Sequence, residues 1–220
     1  MGAFTQRSSA YTPPFDGSKP GPTLVGGAAV QTAQTASSNA RPWKIELRRH
    51  PIFHRGHAIL ALVDPNGKTV AELNGMPKSR NADTERPDKV MTISGDGSRL
   101  VVTTDIQFGD GAELVGVVAA GSRGDIAARW ERGVRAAQEV TAKNYDYKGH
   151  DPAFEIAGRG GQIQNSNSVA YTLGRAMDLD LDGALRRRRM ERRFSGWGND
   201  LLDPNYKRYV APQFAVPDAP

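Results

Sequence analysis

The sequence predicts a single α+β domain in which a mostly antiparallel sheet precedes a group of helices. The first half of the chain carries short strand-like runs separated by turn signals, and the second half carries apolar residues at helical spacing. Strands followed by helices, rather than alternating with them, are typical of α+β folds. We expect the domain to cover residues 41–211, between a flexible arm rich in Ser, Gly and Pro at 1–40 and a Pro-rich tail at 212–220.

Two kinds of pattern indicate the strands. Residues 43–47 alternate apolar and polar, whereas 57–63 are almost all apolar, as in a strand buried on both faces. The turn sequence Asp64-Pro65-Asn66-Gly67 directs the chain back into a partner strand. The predicted strands cover 43–47, 57–63, 69–73, 90–93, 100–104 and 113–119, with 90–93 and 100–104 forming a second hairpin.

Apolar periodicity predicts two helices. The first covers 125–142, begins after a capping-box-like Ser122 and Asp125, and buries Ile126, Trp130, Val134, Ala137 and Thr141. The second follows Asn167 and places Val169, Leu173, Ala176 and Met177 on one side. The acidic run 178–183 begins like a calcium loop, but Arg189 stands where such a loop needs a bidentate Glu, so a solvated turn is the better interpretation.

Composition excludes several classes of protein. The 220 residues include no cysteine, which removes disulfides, thiolate metal sites and a cysteine nucleophile. None of the sequence motifs predicts a metal or other cofactor. No run approaches the ~20 apolar residues of a membrane span, and the N-terminus lacks the apolar core of a secretory signal. We therefore expect a cytoplasmic protein, or one exported without a signal peptide of the usual kind.

A net charge of +5 is concentrated in two places, residues 41–57 and residues 186–193. The second segment allows two interpretations. It is either a solvated basic helix paired with nearby acids or a contact surface for an anionic partner, nucleic acid or lipid. Its arginines are Arg186, Arg187, Arg188, Arg189, Arg192 and Arg193.

A histidine that precedes a serine is the strongest functional signal. His57 leads the apolar strand 57–63, and Ser166 lies in Asn165-Ser166-Asn167-Ser168 just ahead of a helical pattern. A histidine on a strand and a hydroxyl at a helix N-terminus can together form a hydrolytic dyad. Papain-like enzymes usually have the nucleophile first in the chain, and here the order is reversed.

These residues resemble a circularly permuted papain-like domain of the NlpC/P60-like superfamily, which includes the lecithin:retinol acyltransferase-like proteins. The resemblance spans roughly residues 44–204. It depends on three phrases: Gly56-His57-Ala58-Ile59-Leu60, Gln164-Asn165-Ser166-Asn167-Ser168-Val169, and Gly196-Trp197-Gly198-Asn199-Asp200-Leu201-Leu202. The last resembles a closing segment of some bacterial members. Ser166 occupies the position that usually holds cysteine, and an alcohol is a weaker nucleophile than a thiolate.

The resemblance implies a role for each residue. His57 would be the general base, and a polar residue on the returning strand would hold its imidazole, with Glu72 the first choice and Asn74 the second. The backbone N–H groups of Ser166 and Asn167 would form the oxyanion hole, and Asn165 and Asn167 would be among the residues that bind the oxyanion or substrate. Gly160 and Gly161 would let substrate approach the backbone. The implied function is a bacterial or phage hydrolase of amidase or peptidase type, acting on a peptide or on peptidoglycan.

Other interpretations of the same residues remain open. His57 is equally a strand-end histidine, Ser166 a helix N-cap, and Glu72 an exposed strand residue. At the level of the whole protein, one alternative is a catalytically inactive module whose basic surface binds nucleic acid or lipid. A weaker alternative is a lipid acyltransferase or thioesterase.

Overall fold

The computed structural model describes residues 41–52, 55–78, 98–149, 151 and 162–209. Within them the predicted α+β class is confirmed, because a five-stranded antiparallel sheet packs with three α-helices. The strands are β1 (Trp43–Ile52), β2 (Arg55–Val63), β3 (Thr69–Lys78), β4 (Arg99–Thr103) and β5 (Glu113–Gly121). The helices are α1 (Arg123–Ala142), α2 (Ser166–Ala176) and α3 (Leu181–Arg188).

The strands lie in the order β4-β3-β2-β1-β5, so β2 is central. Every residue of β2 from Gly56 to Val63 is buried, which explains why its sequence is nearly all apolar. The turn between β2 and β3 forms at the predicted position, with Gly67 at a φ of 87° and its N–H bonded to the Asp64 carbonyl at 3.0 Å. The predicted strand at 90–93 lies outside the described residues, and within them β4 pairs with β3.

Side chains alternate between two different faces of the sheet. On one face Leu47, Leu60 and Leu73 join the main core beneath α1 and α2. Glu46 and Arg48 point to the other face, where they form a buried ion pair at 2.8 Å. Residues 104–111 cover part of this second face, so polar positions in the strands are not solvent-exposed there.

Strands β2 and β3 stop pairing beyond Leu60 and Leu73, and the N-terminus of α2 contacts both strands at that point. The side chain of Asn167 accepts a hydrogen bond from the Ala58 N–H at 2.9 Å, as a strand partner would. Gly75 allows the close approach on the other side, because a Cβ there would lie 2.8 Å from Ser166 Cα. The start of α2 is therefore held between the two diverging strands.

The two predicted helices are confirmed as α1 and α2. Ser122 caps α1, accepting from the Asp125 N–H at 3.2 Å, and Trp130 lies fully within the core. The expected solvated turn is confirmed at Asp178 and Asp180, which are exposed ahead of the helix, but it is wrong for 181–183, which begin α3. Asp180 caps this helix by accepting from the Gly183 N–H at 2.8 Å. Four apolar or small residues of α3 are buried: Leu181, Gly183, Ala184 and Leu185.

Strand β5 forms one edge of the sheet, and α3 packs against it. Arg188, the last residue of α3, donates from Nε to the Val115 carbonyl of this edge strand at 3.2 Å. Leu114 and Val117 of the same strand are about two-fifths exposed, at 42 % and 41 %. The edge therefore combines exposed apolar side chains with a basic side chain bonded to its backbone.

We predict that Gly75→Ala lowers the free energy of unfolding by about 1–3 kcal/mol, because the added methyl would collide with the backbone of α2 and with Val169. Urea denaturation measures the change. Gly111→Ala is the matched control, since a Cβ at Gly111 meets no atom within 4 Å and should alter stability by no more than about 0.5 kcal/mol. Equal effects of the two substitutions would contradict the close approach of α2 to β3.

Candidate active site

His57 lies at the point where β2 leaves its pairing with β3. Its Nε2 is 3.1 Å from Asn74 Oδ1, and the residue is 1 % exposed. The ring of Phe108 lies against the imidazole, with 5.2 Å between ring centroids. The imidazole is thus held by one polar contact and covered by one aromatic ring.

Asn74, the second choice from sequence, is the residue that holds His57; Glu72 is not in contact with the imidazole. Glu72 instead accepts from Asn74 Nδ2 at 3.0 Å. It also accepts from the backbone N–H groups of Gln107, Phe108 and Gly109 at 2.8, 3.1 and 2.6 Å. The interpretation of Glu72 as an exposed strand residue is wrong, because it is completely buried.

The chain of contacts from Glu72 determines the tautomer of His57. An ionised carboxylate only accepts hydrogen bonds, so Asn74 turns its amide nitrogen toward Glu72 and its carbonyl oxygen toward His57. The imidazole must then donate from Nε2. A neutral imidazole with Nε2–H carries its free lone pair on Nδ1, and that atom is buried without a hydrogen-bond partner in the described part of the chain.

Ser166 is the first residue of α2, and the N-cap is its neighbour Asn165. The Asn165 side chain accepts from the N–H groups of Asn167 and Ser168 at 2.9 and 3.2 Å. The interpretation of Ser166 as the N-cap is therefore wrong. Its hydroxyl makes one long contact, 3.4 Å to Asn167 Oδ1, and the residue is 3 % exposed.

The oxyanion role implied for Asn165 and Asn167 does not fit this geometry. Both amide nitrogens donate to the Ser195 carbonyl, at 3.0 and 2.9 Å. The Asn167 N–H is occupied by Asn165, and Asn167 Oδ1 binds Ala58. Within the described ranges, the Ser166 N–H is the backbone donor that remains available at the start of α2. It lies at the positive end of the helix dipole, and the first turn contains no acidic residue.

The closing segment seen in the sequence packs directly on this turn. Gly196 accepts from Ser168 Oγ at 3.1 Å, and Asn199 Nδ2 donates to the Ile163 carbonyl at 3.0 Å. Gly196 has a φ of 83°, and a Cβ there would lie 2.6 Å from the Ile163 side chain. Only glycine fits this position without strain, so the segment is shaped to hold the turn that carries Ser166.

The fold brings His57 and Ser166 to the same gap in the sheet, but no hydrogen bond joins them. Asn167 is bonded to Ala58, which follows His57, and Ser166 packs on Gly75, which follows Asn74. Strand alternation directs His57 and Asn74 to the sheet face away from the main core, whereas α2 belongs to that core. Beyond Leu60 and Leu73, β2 and β3 do not pair with each other, so no continuous sheet separates the face that carries His57 from the face that carries α2.

Burial dominates the electrostatics of His57. Desolvation lowers the pKa of its imidazole to about 4, against a smaller opposing effect of the Asn74 hydrogen bond, and repulsion from His50 lowers it further. His50 stands opposite His57 on β1, and its ring also lies against Phe108, at 4.7 Å between centroids. At neutral pH His57 is therefore uncharged and has its base form.

The structure describes only some of the remaining predicted residues. Gly160 and Gly161 are outside the described residues. Arg186 and Arg187 are exposed on α3, each 3.9 Å from the Asp180 carboxylate. In the part of the chain that the structure describes, no three His, Asp or Glu side chains are placed to hold a metal ion, and no helix has the length and apolar character needed to cross a bilayer.

Two residues near the site were missed from sequence. Phe108 lies in a turn-rich segment without periodicity, so nothing marked it as a neighbour of His57. Arg48 looked like one member of a basic run, yet it is buried and donates to the Gly109 carbonyl at 2.7 Å. It continues the polar alternation of Lys44 and Glu46, so no sequence signal marked it as buried, and a buried arginine needs several acceptors.

Comparisons with known proteins found no matching family model, no similar curated protein and no similar solved structure.

We predict that stability falls as pH is lowered from about 6.5 to about 4, because the unfolded state binds a proton at His57 before the folded state does. The pKa difference corresponds to a loss of about 3 kcal/mol from this group. Urea denaturation at pH 7 and pH 4 of the wild type and of His57→Gln measures it, since the other titrating groups are common to both. His50→Gln is the control and should keep most of the wild-type pH dependence. Identical pH dependence of the wild type and His57→Gln would contradict the assignment.

Proposed function

We propose that the chain is an acyl-transfer hydrolase in which Ser166 is the nucleophile, His57 the general base and Asn74 the residue that orients the base. The observation that carries the proposal is the His57–Asn74 hydrogen bond, which leaves the Nδ1 lone pair without a partner among the described residues, one residue before the Ala58 N–H that binds Asn167 of α2. The substrate would be an amide or an ester, and the resemblance to papain-like domains favours a peptide or a peptidoglycan cross-link.

The proposed reaction has two acyl-transfer steps. Ser166 Oγ gives its proton to His57 Nδ1 and attacks the carbonyl carbon; the leaving amine or alcohol then takes that proton as its bond to carbon breaks. Water hydrolyses the resulting seryl ester by the reverse proton route. Throughout, Asn74 Oδ1 accepts from Nε2–H, the arrangement used by nucleophile–His–Asn sites. The Ser166 N–H, at the positive end of α2, would stabilise the oxyanion.

Productive geometry requires a local change at Ser166. Its hydroxyl now contacts Asn167 Oδ1 at 3.4 Å, a long and weak hydrogen bond that costs little to break. Rotation of the side chain away from Asn167 would free the hydroxyl for the base. Catalytic hydrogen bonds commonly tighten only when substrate binds, so this rearrangement belongs to the substrate complex.

We predict that a fluorophosphonate probe labels the wild type and that Ser166→Ala abolishes labelling. Mass spectrometry of the digested protein locates the adduct. Ser122→Ala is the matched control, because Ser122 is also a serine at a helix N-terminus but caps α1 and should label as the wild type does. Undiminished labelling of folded Ser166→Ala would reject the nucleophile assignment.

Ser166→Cys provides a second test of the same site. A thiolate needs less help from a base than an alkoxide does, so a competent scaffold should give this variant reactivity toward iodoacetamide well above that of a free thiol at neutral pH. The reaction is followed by mass spectrometry, which is unambiguous because the chain has no other cysteine. A folded but unreactive variant would argue against a preserved active site.

A catalytically inactive binding module is the second candidate, favoured by the exposed arginines of α3 and its C-terminal side. Arg186 and Arg187 share one carboxylate at 3.9 Å, too far for a strong pair, and Arg189 and Arg192 are exposed. A surface of this kind would bind phosphates.

We predict, for this second candidate, that a DNA duplex binds with an affinity that falls steeply with salt. Replacing Arg186, Arg187, Arg189 and Arg192 with Gln should weaken binding and flatten the slope of log affinity against log salt, since fewer counterions are released. Fluorescence anisotropy at several salt concentrations measures both. Affinity that does not change with salt would exclude this surface as the contact.

A further inference from the structure

We infer that Glu72 is a positioning residue for the base: its one carboxylate both orients Asn74 and holds the loop that covers His57. The inference rests on the proposed function, because it assigns to His57 the role of general base. It differs from a direct Glu72–His57 contact, since every effect of Glu72 on the imidazole passes through Asn74 or through the loop.

The carboxylate of Glu72 has its full hydrogen-bonding capacity in use. Glu72 is completely buried, and four N–H donors surround it: the Asn74 amide and three consecutive backbone groups of residues 107–109. Four donors satisfy an ionised carboxylate and leave it no freedom to rotate. Asn74 therefore has a single favourable amide orientation, with its oxygen toward His57.

The same carboxylate also holds the loop of residues 104–111. Gly109 gives its N–H to Glu72 and its carbonyl to Arg48, so both polar backbone groups of one residue are held by buried charges. Arg48 also donates to Thr69 at 2.9 Å and contacts Asp110 at 3.3 Å. The loop is thus fixed from two strands at once, one residue away from Phe108.

Because the loop is fixed in this way, Phe108 is positioned against the imidazole of His57. Its ring lies against the imidazoles of both His50 and His57, at centroid distances of 4.7 and 5.2 Å. An apolar ring in this position keeps water from competing for the His57–Asn74 hydrogen bond, and such a bond is stronger when water is excluded. Glu72 therefore determines the direction of the His57–Asn74 hydrogen bond and, through the loop, the exclusion of water from it.

Glu72→Leu tests the inference by removing the carboxylate while keeping a side chain of similar size. Glutamine would not serve, because Asn74, Gln107 and Phe108 all donate to Oε2, so its oxygen could still hold Asn74 while its amide faced Gly109. Without an acceptor at this position, the Asn74 amide is free to flip, which would present its nitrogen to His57 and move the imidazole proton from Nε2 to Nδ1. The lone pair would then lie on Nε2, toward Asn74, and Nδ1 could no longer accept a proton.

The readout is the tautomer of His57, measured by long-range ¹H–¹⁵N correlation of the imidazole. We expect Nε2–H in the wild type, a shift toward Nδ1–H in Glu72→Leu, and a fall of about 10²-fold in the fluorophosphonate labelling rate, as for a misplaced reacting group. Glu46→Leu is the matched control: it removes a buried carboxylate of the same sheet face that does not contact Asn74, so the tautomer should not change. A wild-type tautomer and labelling rate in Glu72→Leu would overturn the inference.

Phe108→Ala keeps the inference testable if Glu72→Leu does not fold. Here the carboxylate stays, and we expect the His57 Nε2–H proton to exchange with water much faster than in the wild type. An unchanged exchange rate would reject the covering role of the loop.

The two proposals fail in different ways. A tautomer that shifts in Glu72→Leu although the wild type takes no label would refute the hydrolase while leaving the control of the imidazole by Glu72 intact. A labelled wild type with an unaffected Glu72→Leu would refute only the positioning role.

Discussion

The site depends on one constraint, the entry of the α2 N-terminus between two strands that have ceased to pair. Where β2 and β3 separate, the Ala58 N–H would lose its partner, and an unpaired buried N–H is costly. The Asn167 side chain supplies the missing acceptor. A helix start is thereby joined to the sheet by a bond that replaces a strand contact, and residues from distant parts of the chain become neighbours.

The polar groups around this junction are connected by hydrogen bonds, and few of their donors and acceptors are unpaired. Asn165 and Asn167 use nearly all of their hydrogen-bonding capacity to shape the turn, and Glu72 uses all of its own to hold Asn74 and a loop. Buried networks of this kind specify a unique arrangement when every member is satisfied. Four buried side-chain atoms of the described residues lack a partner, on Arg49, His57, Arg99 and Trp130, and His57 Nδ1 is the one whose ring is bonded to this network through Asn74.

Local patterns in the sequence were sufficient to locate the five strands among the described residues, the turn at Asp64 and the two longer helices, because periodicity and caps act over a few residues. They did not give the ends of β1 and β3, which run on to Ile52 and Lys78, and the strand predicted at 90–93 lies outside the described residues. The partner of His57 was harder. Glu72 and Asn74 share a face by strand alternation, and which of them meets the imidazole depends on how β2 and β3 diverge, a feature without a sequence signal. Asn165 and Ser166 are both good N-cap residues, so the helix start was uncertain by one position. Phe108 depends on tertiary packing alone.

The contact between Arg188 and Val115 has a meaning for the behaviour of the protein in solution. An unpaired outer strand with apolar side chains is a template on which a second chain can add, and such additions propagate into fibrils. The guanidinium bonded to the Val115 carbonyl occupies one of the acceptors that an incoming strand would need. An arginine of the basic segment thus blocks part of the edge strand from within the same chain.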